Sequence, residues 1–64
     1  MTIKYEIEGS TLFCFITEDN GLMFQGDMDI SGFGVVQVEA AKNDALAKAE
    51  LTKKNWYEGN ENEQ

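Results

Sequence analysis

Apolar and polar residues alternate in two stretches of the first thirty positions, on either side of a continuous apolar run, after which the spacing changes to that of a helix. In Thr2–Glu8, Ile3, Tyr5 and Ile7 share one face while Thr2, Lys4, Glu6 and Glu8 take the other, which predicts a half-buried strand. Gly9-Ser10 predicts a type II′ turn, because glycine at the first central position supplies the positive φ. Thr11–Thr17 is apolar on both sides, with Leu12, Cys14 and Ile16 on one and Phe13 and Phe15 on the other. Residues 22–30 alternate again: Leu22, Phe24, Gly26, Met28 and Ile30 are apolar or small, and Met23, Gln25, Asp27 and Asp29 are mostly polar.

The turns fix a register. Gly9-Ser10 pairs Ile7 with Leu12, Tyr5 with Cys14 and Ile3 with Ile16, so these six side chains share a face. In the next hairpin, a two-residue Asn20-Gly21 loop would put Asp27 on the Cys14 face. A three-residue loop, Asp19-Asn20-Gly21, instead pairs Ile16 with Phe24, Cys14 with Gly26 and Leu12 with Met28. It gathers the apolar side chains on one face and gives Gly21 the left-handed position such loops need. A three-stranded meander with Thr11–Thr17 in the centre is predicted.

Ser31-Gly32-Phe33-Gly34 reads as a bend. Val35-Val36-Gln37-Val38 fits either a short fourth strand or a first helical turn, and its β-branched content favours the strand. From residue 39 the composition turns to Ala, Lys, Glu and Leu, strong helix formers. Ala41, Ala45, Ala49, Thr52 and Trp56 fall on one stripe, with Leu46 and Leu51 to either side. The alanines let a helix sit close to a sheet, and Trp56 is placed to cover its open end. Gly59 is the expected stop. The expected fold is a single α+β domain over residues 1–58: a three- or four-stranded antiparallel meander packed on one C-terminal helix, a βββ(β)α two-layer sandwich. The helix should cover the Ile3/Tyr5/Ile7 face, and residues 59–64 should form a disordered acidic tail.

Charge narrows the function. Twelve acidic residues face five lysines, with no histidine, for a net charge of −7 on 64 residues. Such a body repels DNA, RNA and anionic lipid and attracts basic proteins. Lack of histidine removes the usual general acid–base and the commonest metal ligand. The carboxylates do not follow a calcium-loop spacing. A non-enzyme with no cofactor and no metal is expected. No membrane span is seen, and a single cysteine suits a reducing cytoplasm.

The sheet face away from the helix is the candidate binding site. The register centres Phe13 and Phe15 on it, flanked by Glu6, Gln25, Asp27 and Asp29, with Glu18 and Asp19 at a hairpin tip. An apolar centre with a charged rim is common interface anatomy. Three occupants fit: a different protein, a second copy packed sheet to sheet, or the chain's own bend or tail. Cys14, opposite Gly26, reads as a small core residue.

Residues 16–58 resemble the N-terminal domain of HicB-type antitoxins. Glu18-Asp19-Asn20-Gly21 occupies that family's acidic turn, Asp29-Ile30-Ser31-Gly32-Phe33 its bend and residues 39–57 its helix. The bend lacks the family's proline and cysteine, and the family's C-terminal DNA-binding domain is not expected here. The resemblance implies a small acidic module that neutralises a basic ribonuclease by direct contact. Residues 39–49 are also similar to the last helix of double-stranded RNA-binding domains. Gln37 and Val38 stand where that family has its phosphate-gripping lysines, and Asp27 and Asp29 would repel the backbone, so RNA binding is not expected.

These features predict a small inhibitor that blocks a basic nuclease or nucleic-acid-binding effector, in part by nucleic-acid mimicry. Two settings fit equally, both in a bacterial or phage-infected cytoplasm: an antitoxin, or a phage factor against host defence of the anti-CRISPR or anti-restriction kind. The alternative is a homodimeric structural or accessory protein with sheet-to-sheet packing and no inhibitory role.

Overall fold

A computed structural model describes the backbone of residues 1–62 and the side chains of residues 1–59. The elements are β1 (Thr2–Glu8), β2 (Thr11–Thr17), β3 (Met23–Asp29) and α1 (Val35–Asn62). The strands form one antiparallel sheet in the order β1-β2-β3, and α1 packs on one side of it, an α+β arrangement.

Turn chemistry sets the register, and it is the expected one. Gly9 has φ 61° and Ser10 a negative φ, so the first turn is of the II′ kind. It pairs Ile3 with Ile16, Tyr5 with Cys14 and Ile7 with Leu12. The second loop is the three-residue one: the Glu18 and Gly21 amides donate to the carbonyls of Leu22 and Glu18, and Gly21 takes φ 91°. The Asn20 side chain accepts from the Leu22 amide at 3.1 Å, an Asx turn that holds the loop. Cys14 therefore faces Gly26, and Leu12 faces Met28.

The core lies between β2, β3 and the alanine stripe. Leu12, Cys14, Ile16, Phe24, Ala41, Ala45 and Ala49 are buried, with Tyr5, Leu22, Met28, Ile30 and Leu46 half-buried around them. Gly26 sets the approach of the helix. A Cβ there would overlap the Ala45 carbonyl oxygen and lie 2.5 Å from the Ala49 nitrogen and 3.0 Å from the Lys48 Cβ. Backbone packs on backbone at this point, which only glycine allows. At the far end Phe24 meets Trp56 edge-on with centroids 6.1 Å apart and tilts against Tyr57 at 6.0 Å, so the aromatic lid is where the stripe puts it.

Three expectations are corrected. Residues 35–38 are the first turn of α1, not a fourth strand. The Gln37 side chain reaches back to accept from the Gly34 amide at 2.8 Å, while the Val38 amide donates to the Gly34 carbonyl at 2.9 Å. This is half of a capping box with glycine at the cap. It outweighs the strand preference of Val35 and Val36, whose side chains find no sheet to pack on and stay 81% and 83% exposed. At its other end, α1 runs through Gly59 to Asn62, so the helix does not stop where expected. A glycine costs a helix only about 1 kcal/mol relative to alanine and compels no stop. Of the expected tail over residues 59–64, residues 59–62 continue the helix, and residues 63 and 64 lie outside the described residues.

The third correction bears on function. The helix lies on the Ile3/Tyr5/Ile7 side, but over β2 and β3, and only grazes β1. Ile3 stays 39% exposed, Ile7 56% exposed and Tyr5 half-buried. A helix is about 10 Å across, and strands lie about 4.8 Å apart. One helix drawn down onto Gly26 of β3 cannot also cover β1.

Candidate functional site

The face opposite the helix is built from four cross-strand rows. In chain order across the sheet they are Thr2, Thr17 and Met23; Lys4, Phe15 and Gln25; Glu6, Phe13 and Asp27; and Glu8, Thr11 and Asp29. Phe13 and Phe15 follow each other along the central strand with rings stacked 6.0 Å apart at 16°. Both are half-buried, and they lie on the side of the sheet away from the Leu12, Cys14 and Ile16 cluster that packs on α1. No second layer of secondary structure lies on this face among the described residues.

Charge on the face is polarised. Glu6, Glu8, Asp27 and Asp29 surround Phe13 and Thr11 at one end, and the single cation, Lys4, lies beside Phe15. Successive carboxylates on one strand lie about 6.8 Å apart, from two rises of about 3.4 Å. Lys4 binds Glu6 at 2.9 Å in the open, a pair that water screens strongly. Asp29 accepts from the Ser31 hydroxyl at 2.7 Å and the Ser31 amide at 2.9 Å. These bonds, the hydroxyl's first, hold its carboxyl below the ordinary carboxylate range. At the other end, Thr2, Lys4, Glu6, Phe15, Thr17 and Met23 line a shallow depression of about 280 Å³. A flat, open face of this kind suits contact with a macromolecule better than enclosure of a small substrate.

The structure brings together six of the eight expected residues: Phe13, Phe15, Glu6, Gln25, Asp27 and Asp29. Glu18 does not join them. Its side chain is only 15% exposed and pairs with Lys53 of α1. That hydrogen bond is the main reason the Lys53 ammonium is held above the usual lysine range. Asp19, at the hairpin tip, binds the amino group of Met1 at 2.9 Å. Sequence reasoning missed Glu8, although the Gly9-Ser10 turn, by pairing Glu8 with Thr11, already aligns it with Asp29.

Other groups are structural. Cys14 is fully buried, and burial pushes its thiol pKa up, as it does the Tyr5 hydroxyl above it. Among the described residues no cluster of Cys, Asp and Glu could hold a metal ion. No helix among them is long and apolar enough to cross a membrane. No family model matches the chain, and comparisons with curated proteins and with solved structures find no significant match.

Proposed function

We propose that the chain is a non-enzymatic inhibitor that occupies the nucleic-acid-binding surface of a basic protein. The observation that carries this reading is the open face: a stacked, half-exposed phenylalanine pair beside four carboxylates on one antiparallel sheet. The rings supply apolar contact at the centre, where interface energy concentrates. The carboxylates speed encounter with a basic surface and set its orientation. Carboxylates repeated at intervals of several ångströms along two strands give a row of negative charge, which supports phosphate mimicry. The resemblance to HicB-type antitoxins and the small, acidic, phage-like character support the same mode of action in either setting, antitoxin or anti-defence factor.

The electrostatics disfavour the alternative of sheet-to-sheet homodimerisation. Stacking two such faces would bring eight carboxylates together with only two lysines, and like charges in a drying interface cost several kcal/mol.

The test is capture from the native host followed by a competition assay. The captured protein should be basic, and its binding to nucleic acid should be displaced by this chain. Phe13→Ala with Phe15→Ala should abolish displacement while the circular dichroism spectrum is kept. Asp27→Lys with Asp29→Lys should slow association and flatten its salt dependence. Full displacement by the double-alanine chain would remove this face from the function.

A further inference from the structure

Among the described residues, no strand pairs with the outer edge of β1. Its seven residues pair with β2 without a bulge, and the chain has no proline, so two common guards against edge pairing are missing. The β3 edge is guarded, because Lys48 of α1 donates to the Asp27 carbonyl at 3.0 Å. Which backbone groups β1 presents follows from its turn. The residues flanking a two-residue hairpin turn form a hydrogen-bonded pair, here Glu8 with Thr11. The alternation of an antiparallel ladder then directs the backbone groups of Thr2, Lys4, Glu6 and Glu8 to β2 and those of Ile3, Tyr5 and Ile7 outward.

We propose that β1 pairs antiparallel with β1 of a second copy about a twofold axis at Tyr5. Because only the odd-numbered residues offer outward groups, a ladder must set odd residues opposite odd ones. Three such registers overlap most of the strand. One centred on Lys4 of each copy puts ammonium against ammonium, and one centred on Glu6 puts carboxylate against carboxylate. Centred on Tyr5, Lys4 faces Glu6 of the copy and Glu6 faces Lys4, while on the other face Ile3 meets Ile7 and Tyr5 meets Tyr5. This is the register in which both faces match, and cross-strand pairs are the unit of sheet stabilisation. It makes about six new backbone hydrogen bonds and gives Ile3 and Ile7 apolar neighbours that the helix does not provide. The contact is self-complementary, and the Lys48-guarded edges stop further growth.

The dimer is a six-stranded sheet with both helices on one face and both phenylalanine pairs on the other. The proposal stands independently of what binds that face.

The test is sedimentation equilibrium of the full chain at about 100 µM in about 0.15 M salt. The wild type should be dimeric. Lys4→Glu alone and Glu6→Lys alone should each be monomeric, since each opposes like charges across the axis. Both side chains are half or more exposed, so the fold should survive, as circular dichroism will show. Mixing the two monomeric variants should restore a 1:1 dimer, and the chain with both substitutions should dimerise with itself. A monomeric wild type, a dimer that survives Lys4→Glu, or failure of the mixed variants to associate would each overturn the proposal. Phe13→Ala with Phe15→Ala should stay dimeric. Its dissociation would move the interface to the open face and refute the edge pairing.

Discussion

Strands β1 and β3 are alike in length, in alternation and in position at a sheet edge, yet only β3 is covered. β3 has a glycine at its centre, an alanine stripe above it and a lysine on its edge carbonyl. β1 has Ile3, Tyr5 and Ile7 where β3 has Phe24, Gly26 and Met28, and its two isoleucines remain in solvent. Coverage of a small sheet is thus decided by where the helix can approach most closely, not by which strand is most apolar. An unoccupied apolar strand remains as the consequence.

The contact at Gly26 is the strongest lever on this asymmetry. Gly26→Ala should lift the helix and cost about 3 kcal/mol, near the upper end for overpacking. On a chain of this size that is most of the stability, and urea denaturation should show it. Side-chain deletion should then separate the two edges. Phe24→Ala should cost about 3 kcal/mol, whereas Ile7→Ala, measured in the monomeric Lys4→Glu background, should cost less than about 1 kcal/mol. Equal costs would mean that the helix covers β1 after all. Cys14 probes the covered side without any substitution. Its full burial should confine reaction with a disulfide reagent to molecules in which the fold has opened, so the reaction should speed up as urea is added.

The smallest effect concerns Asp29. Because the Ser31 hydrogen bonds lower its folded pKa, its contribution to stability is present above the ordinary carboxylate pKa and is lost as pH falls through the folded value. Ser31→Ala should move the carboxyl titration followed by NMR back toward the ordinary range. An unchanged titration would show that the serine hydroxyl does not set it.

The strands, both turns and the full register were legible because a period of two and a glycine of positive φ leave little choice. The rows of the open face, with Phe13 between Glu6 and Asp27, follow directly from them. The start of the helix was not legible from propensity. Val35 and Val36 favour a strand locally, and the deciding bond runs from Gln37 back to Gly34. Nor was the fate of Glu18, because its partner Lys53 lies 35 positions away and reaches it only once the helix has its path.

Sequence by itself determined which residues share each face of the sheet, because side-chain direction in a strand is a matter of parity, and parity needs no distant contact. It also determined the sign and size of the charge. Only the tertiary structure decided where the helix lies across the sheet, since that depends on backbone meeting backbone at Gly26. The same closeness that seals Leu12, Cys14, Ile16 and Phe24 leaves Ile3 and Ile7 in water, because one helix is too narrow to cover all three strands.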